Sequence, residues 1–141
     1  MSLPSVAVHL PEPLYRRLER LAEPTGQPVE SLVVQALSDS LPPLPDGLPV
    51  EVREALMSLE VYDDAHLWQA VHAMGTVEQQ ERLVELQEKD RQSVATPAEE
   101  DERARLVYEA DLVMLRKAYA AVLLKWRGHQ LPAVAELAAS V

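Results

Sequence analysis

The sequence predicts a mostly α-helical protein that begins with one short strand and is divided in two by a proline-rich segment. Over most of the chain, apolar residues recur every three or four positions, which is the spacing of a helix with one buried face. Residues 6–10 differ, because their apolar residues alternate with others as in a half-buried strand. The four prolines within residues 42–49 permit neither a helix nor a central strand. The expected organisation is a unit at residues 1–41, a linker at 42–49 and a helical domain at 50–141.

The first unit consists of the alternating strand and two short amphipathic helices. Pro11 and Pro13 end the strand, and the first helix begins at Pro13. The second helix begins near Pro28 and ends before Pro42. A lone strand cannot satisfy its own backbone, and two short helices need a cover, so this unit should form a homodimer. The predicted dimer core contains apolar residues from all three elements: Val6, Val8, Leu10, Leu14, Leu18, Leu32, Val33 and Leu37.

The order of motifs in residues 5–41 resembles a known family. The alternating strand is followed by LP, a helix with LYxxL, the turn AxxTG and a helix with LVxxAL. This order is similar to that of the ribbon-helix-helix DNA-binding proteins, a class that includes many antitoxins of bacterial toxin–antitoxin pairs. The resemblance implies a dimer whose paired strands enter the DNA major groove, with a phosphate held at the start of the second helix. It assigns DNA contacts to Ser5, Ala7 and His9 on the strand and to Gln27 and Val29 at that helix start.

The function implied by this resemblance is a dimeric bacterial transcription regulator of antitoxin type. An alternative is a dimerisation and protein-interaction module that uses a degenerate ribbon-helix-helix unit and does not bind DNA. Ala7 favours the alternative because it offers a base edge only a methyl group. The charge of residues 1–41 also favours it, since three basic and five acidic residues give −2, a poor match to phosphates.

The second half is predicted to be helical throughout, and its longest helix runs from Pro97 to about Arg127. Two capping boxes, Thr-x-x-Gln at residue 76 and Thr-x-x-Glu at residue 96, begin its last two helices. Gly128 is the expected stop, and residues 129–141 suggest a short terminal helix or a disordered tail. The long helix carries a heptad-like seam, which fits either an internal core or a partner-binding surface: Leu112, Leu115, Tyr119, Val122 and Trp126. A second apolar stripe follows Leu106, Ala110, Val113, Ala120 and Leu124.

Charge and composition limit the partners and the location. The net charge is −10, of which −8 lies beyond residue 41, and this argues against nucleic acid or an anionic membrane as a direct partner of the second half. A basic, toxin-like protein is the favoured partner. The chain has no cysteine, no recognisable secretion signal and no apolar run long enough to span a bilayer, so a cytoplasmic location is expected.

Neither a catalytic site nor a metal or cofactor site is predicted. His66 and His72 are six residues apart and lack the i, i+4 spacing of two zinc ligands on one helical face. Asp63, Asp64 and His66 form a candidate acid/base cluster, but an Asp-Asp pair before a helix is explained first by capping. A row of carboxylates is interpreted as a solvated helix face: Glu78, Glu81, Glu85 and Glu88. The protein is therefore expected not to be an enzyme.

Overall fold

A computed structural model describes residues 3–132 and divides the chain into two compact units, Met1–Pro43 and Leu44–Val141. The division falls within the proline-rich segment. Of the tail predicted at residues 129–141, residues 133–141 lie outside the described part. Two short 3₁₀ helices occur at Glu23–Thr25 and Ser58–Val61. The α-helices are α1 (Glu12–Ala22), α2 (Val29–Ser40), α3 (Val50–Met57), α4 (Asp64–Val71), α5 (Val77–Arg91) and α6 (Pro97–Trp126).

The predicted strand is wrong. Residues 3–11 have no regular secondary structure, and no strand occurs anywhere in residues 3–132. The expectation of a ribbon-helix-helix unit containing a strand is therefore corrected, whereas the expectation of a mostly helical protein is confirmed. The physical reason is that a strand requires a neighbour for its N–H and C=O groups, and within a single chain this segment has none. Val6 and Val8 accordingly remain 86% and 68% exposed.

The N-terminal unit is a helical hairpin with almost no interior. Pro13 lies in the first turn of α1, where a missing N–H costs nothing. Gly26 then turns the chain with a positive φ of 69°, and Pro28 adopts the extended conformation just before α2. Helices α1 and α2 contact each other, yet Ala22 is the only buried residue between residues 3 and 43. The hairpin therefore lacks a core of its own.

The C-terminal unit has a continuous apolar core built around α6. Helices α3, α4 and α5 and the second 3₁₀ helix all pack against α6. Leu59, Leu67, Val71, Ala120 and Leu124 are fully buried in this core. Val52, Leu56, Tyr119 and Leu123 complete it. Burial of apolar side chains is the main favourable term in the free energy of folding. The C-terminal unit therefore has the apolar core that the hairpin lacks.

The ends of α5 and α6 are fixed by side chains and by local hydrogen bonds. Thr76 and Thr96 both accept a hydrogen bond from the third amide of the helix that follows, and both predicted capping boxes are confirmed. Both helices end in the same reversal, in which a residue with positive φ follows the cap. That residue is Gly128 after α6, with φ 99°, and Ser93 after α5, with φ 59°.

Candidate interaction surfaces

The residues predicted to form a dimer core all lie at the surface of the single chain. Leu14 is 44% exposed and Leu37 is 60% exposed, and the two strand valines are more exposed still. Leu10, Leu18, Leu32 and Val33 are half-buried. Further exposed apolar residues on or beside the two helices are Tyr15, Leu21, Val34 and Leu41. Soluble monomers rarely expose so much apolar surface on so small a unit, which makes this surface a candidate for interaction.

The five residues assigned to DNA contact lie on two different segments of the N-terminal unit. Ser5, Ala7 and His9 are exposed on the irregular N-terminal segment. Gln27 and Val29 instead line a depression at the start of α2. Helix α2 has no side-chain cap, and in its first turn the Ser31 amide donates to the Pro28 carbonyl at 3.1 Å.

The charged side chains that line this depression are of both signs. Arg20 lines it, but Glu19 and Glu23 line it too. On the same helix, Arg16 Nη2 lies 2.5 Å from Glu12 Oε1, in an ion pair between exposed side chains. The surface is therefore of mixed charge rather than uniformly basic, which limits its attraction for phosphates.

The seam predicted on α6 is divided between the core and the surface. Tyr119 is 4% exposed, and its hydroxyl donates a hydrogen bond of 2.6 Å to Glu60 Oε2. Burial and this hydrogen bond raise the pKa of Tyr119. Leu112 and Val122 are half-buried, whereas Leu115 and Trp126 are 39% and 55% exposed. Only the outer part of the seam is accessible to a partner.

The sequence interpretation missed an apolar groove between α6 and the segment that joins α4 to α5 and continues into the first turns of α5. Its volume is about 370 Å³, and Met74 and Met114 at its edges are 47% and 68% exposed. Leu106, Ala110 and Val113 form its α6 wall, which is the first half of the second apolar stripe in the sequence. The opposite wall comes from residues 73–83, and no periodic pattern indicates that these residues face α6. The rim contains one acid and one base, Glu109 and Lys117, so its formal charges balance.

Helices α5 and α6 are joined by ion pairs on their polar sides. Arg82 donates to both carboxylate oxygens of Glu102, each at 2.9 Å. This bidentate bond lowers the pKa of Glu102 and raises that of Arg82. Lys89 Nζ lies 2.5 Å from Glu99 Oε2. The hydrogen bond from Lys89, helped by the Thr96 amide, lowers the pKa of Glu99 to about 2.

These and other internal contacts engage most of the basic side chains of the C-terminal unit. Six of its arginines and lysines bind acidic side chains or carbonyls of the same unit: Arg82, Lys89, Arg91, Arg103, Arg116 and Arg127. Many carboxylates remain exposed at its surface, among them Glu51, Glu54, Glu78, Glu81, Glu100, Asp101 and Asp111. The surface of the C-terminal unit is therefore predominantly acidic.

The candidate acid/base cluster is explained by structural contacts. Asp63 caps α4 by accepting the His66 amide at 2.8 Å, and it also contacts His66 Nδ1 at 2.6 Å. The bond from the His66 amide is the main cause of the lowered pKa of Asp63. Asp64 has different partners, because its carboxylate accepts Arg127 Nη1 at 2.9 Å. The two carboxylates therefore serve different contacts and do not form one reactive group.

Asp64 lies at the centre of a contact between α4 and the chain that follows α6. Besides Arg127, it binds His129, whose Nε2 lies 2.7 Å from Asp64 Oδ2. The hydrogen bonds from Arg127 and then from His129 lower the pKa of Asp64. The His129 ring meets Trp68 edge-on at 6.2 Å, and His72 stacks on Trp68 at 6.0 Å. Within residues 3–132 no group of three or more acidic or histidine side chains is arranged to hold a metal ion.

Comparisons with known proteins do not assign a family, because the chain matches no protein-family model, no curated protein and no solved structure. None of the helices within residues 3–132 is long and apolar enough to cross a membrane. The surfaces described above are therefore the features of the molecule that indicate its function.

Proposed function

We propose that the protein is a non-catalytic, homodimeric interaction protein. In this proposal the N-terminal hairpin joins two copies, and the acidic C-terminal unit binds a basic protein partner. The observation that carries it is the hairpin itself, with one buried residue between residues 3 and 43 and exposed apolar side chains on both helices. A unit of this size reaches stability only when another surface covers those side chains.

A second copy is the simplest cover for the hairpin. Most soluble oligomers are homo-oligomers with twofold symmetry, and every copy carries the same exposed residues. Pairing would cover Leu14 and Leu37, which are 44% and 60% exposed in the single chain. Dimerisation would also present two acidic units, and hence two binding surfaces, to one partner.

The charge of the C-terminal unit supports a basic partner. Residues 44–141 contain ten basic and eighteen acidic residues, a formal charge of −8. Intramolecular pairs engage most of the bases, so the field outside the unit is negative and speeds encounter with a basic surface. Leu115 and Trp126 are the seam residues that remain exposed to contribute apolar contacts.

Sedimentation equilibrium of the full chain tests the dimer. The expected result is a mass twice the 15.7 kDa of one chain. Leu37→Glu should shift the protein to the monomer, because the substitution places a charge in the proposed interface. Val61→Glu is the matched control, since Val61 is 87% exposed in the other unit and its substitution should leave the dimer intact. A wild-type chain that stays monomeric over the whole concentration range would refute the proposal.

Operator DNA binding, as in a transcription regulator of antitoxin type, is the second candidate. It is favoured by the depression at the start of α2, where Arg20, Gln27 and Val29 surround an uncapped helix end. Glu19 and Glu23 line the same depression, and their negative charges disfavour contact with phosphates. DNA binding is therefore the less favoured of the two candidate functions. The DNA contact proposed here uses α1 and the start of α2.

An electrophoretic mobility shift with DNA from upstream of the gene, at two salt concentrations and with competitor DNA, tests this second candidate. Arg20→Gln should weaken a specific shift and reduce its salt dependence. Arg53→Gln removes the same charge from an exposed position in the C-terminal unit and should leave the shift unchanged. A dimer that gives no shift at either salt concentration would leave the interaction protein as the function.

A further inference from the structure

We propose that the apolar groove beside α6 binds a medium-chain aliphatic carboxylate, with the carboxylate at Lys117 and the alkyl chain along the groove. This small-molecule site is separate from the dimer surface of the hairpin and does not depend on the basic protein partner. Three features of the groove define the ligand: its apolar lining, its length and the unpaired lysine at one end.

The groove has the size and the lining of a ligand site. Its volume is about 370 Å³, and small-molecule sites typically measure about 300 to 1,000 Å³. Most of its lining is aliphatic, and the two methionines at its edges, Met74 and Met114, are 47% and 68% exposed. Methionine has an unbranched, adaptable side chain that fits closely around an alkyl chain. The lining therefore favours an aliphatic ligand.

The length of the groove sets the length of that ligand. Its α6 wall runs from Leu106 to Lys117, eleven positions apart on the helix. At a rise of about 1.5 Å per residue, this wall is about 16 Å long. An extended chain advances about 1.2 Å per bond, so an alkyl chain of about ten to twelve carbons fits along the wall.

Lys117 is a cation without an acidic partner. It is half-buried and lines the groove. Among residues 3–132 no carboxylate forms an ion pair with it, whereas Lys89 is paired with Glu99. The segment opposite, residues 73–77, contains no acidic residue. On α6, the positions one turn away from Lys117 are all apolar: Val113, Met114, Ala120 and Ala121.

The acid on the rim of the groove does not neutralise Lys117. Glu109 lies eight positions earlier on α6, about 12 Å away along the helix axis. Gln79 Nε2 donates to the Glu109 carboxylate at 3.5 Å. The Debye length at physiological ionic strength is about 8 Å, so Glu109 is screened from a carboxylate bound at Lys117. The groove therefore has one cationic end, and a monocarboxylate is expected to bind in one direction.

Titration of the full chain with decanoate, followed by nuclear magnetic resonance of methionine methyl groups labelled with carbon-13, tests the proposal. The resonances of Met74 and Met114 should shift along one binding curve. Met57 is the internal control, because it is 45% exposed on α3 and does not line the groove. Octanoate should bind about 4-fold more weakly than decanoate, since each CH₂ in an open groove contributes about a factor of 2, half the free energy of full burial.

Lys117→Gln tests the cationic end of the groove. The substitution should weaken octanoate binding about 2- to 5-fold, the range expected for a partly exposed ion pair. It should leave the binding of octan-1-ol unchanged, because this probe has the same chain length and no charge. Lys125→Gln is the matched control, since Lys125 is exposed on the same helix outside the groove. If Lys117→Gln weakens neither probe, Lys117 only extends its ammonium into water, and the proposal is overturned.

Ala110→Leu tests the apolar wall. Ala110 lines the groove, and the larger side chain should weaken decanoate binding at least about 5-fold by filling the space of the alkyl chain. Ala104→Leu makes the same change at an exposed position of α6 outside the groove and should bind decanoate as the wild type does. Far-ultraviolet circular dichroism should be the same for all variants.

Two results of the decanoate titration would overturn the site. The first is the absence of any shift of Met74 and Met114 at decanoate concentrations below those at which micelles form. The second is a shift of Met57 along the same curve, which would indicate general adsorption of an amphiphile rather than binding in the groove.

Discussion

At the scale of single residues, Tyr119 shows how one hydroxyl is accommodated in an otherwise aliphatic core. The ring is 4% exposed, and the hydroxyl reaches the exposed Glu60 through a hydrogen bond of 2.6 Å. Tyrosine is suited to this position because its ring is apolar and its tip is polar. The same residue belongs to the seam predicted on α6, so internal packing uses one of the five positions that a partner would contact.

Replacing Tyr119 with phenylalanine should weaken the fold without opening a cavity. The variant loses the bond to Glu60, and because Glu60 is exposed and regains water, the expected cost is about 1 kcal/mol of unfolding free energy. Urea denaturation followed by circular dichroism measures it. Tyr108→Phe provides the control, since Tyr108 is 48% exposed on the same helix and the change should be within about 0.5 kcal/mol. Equal effects in the two variants would contradict this account.

Glu99 predicts how the C-terminal unit responds to acid. The pKa of Glu99 in the folded protein is about 2, against 4.5 for the unperturbed group. Its contribution to the free energy of unfolding is therefore present above about pH 4.5 and is lost as the pH falls toward 2. Asp63, Asp64 and Glu102 also have lowered pKa values and act in the same direction. Stability should therefore fall steadily between about pH 5 and about pH 2.

Glu99→Gln should make that acid dependence less steep, because glutamine keeps the capping bond to Thr96 but not the ion pair with Lys89. Urea midpoints measured across the acid range test this expectation. Glu100→Gln changes the adjacent, exposed carboxylate and should leave the slope as in the wild type. If both variants lose stability with the same slope as the wild type, the Lys89 pair does not govern the acid response.

At the scale of elements, the ends of α5 and α6 form a natural pair of experiments. Both close with the same two backbone bonds: Val94 N–H to Lys89 and Ser93 N–H to Asp90 after α5, and His129 N–H to Leu124 and Gly128 N–H to Lys125 after α6. The residue with positive φ is serine in the first case and glycine in the second. Positive φ costs a residue with a side chain on the order of 1 to 3 kcal/mol.

Ser93→Gly should therefore stabilise the protein, and Gly128→Ser should destabilise it. Glycine lowers the free energy of unfolding by about 0.4 to 1 kcal/mol, because it gives the unfolded chain greater conformational freedom. We therefore expect each substitution to change the free energy of unfolding by about 1 kcal/mol, with opposite signs. Thermal denaturation of the two variants measures both. A Cβ atom added to Gly128 would meet no atom within 4 Å. Backbone strain is therefore the sole cost of Gly128→Ser. Shifts of the same sign would show that φ is not the controlling factor.

The elements also show which parts of the structure the sequence predicts. The helices and both capping boxes follow from local rules, since spacing, Thr-x-x-Gln and Thr-x-x-Glu act within a few residues. The strand predicted at residues 6–10 is wrong because alternation indicates a buried face but does not supply the neighbouring strand that the backbone needs. The methionine-edged groove beside α6 was missed for a related reason. Its second wall combines the irregular connection before α5 with the first turns of α5, and the position of that wall depends on tertiary packing.

At the scale of the whole molecule, the two units differ in what stabilises them. The unit from Leu44 contains a core in which Leu59, Leu67, Val71, Ala120 and Leu124 are fully buried. The hairpin before it buries one residue among those at positions 3–43. The free energy gained from hydrophobic burial is roughly proportional to the apolar area removed from water. The unit from Leu44 is therefore expected to fold alone, and the hairpin is expected to depend on association.

Two fragments separate these expectations. Residues 44–141 alone should unfold cooperatively on heating, with a midpoint that does not change with protein concentration. Residues 1–43 alone should show helical circular dichroism that increases with concentration, because association supplies the missing cover and links folding to dimer formation. Leu37→Glu in the short fragment should remove that concentration dependence, and Ser38→Glu, at a neighbouring exposed polar position, should retain it. Helicity of the short fragment that is high and independent of concentration would mean that the hairpin folds without a partner, and the exposed apolar residues would then need another explanation.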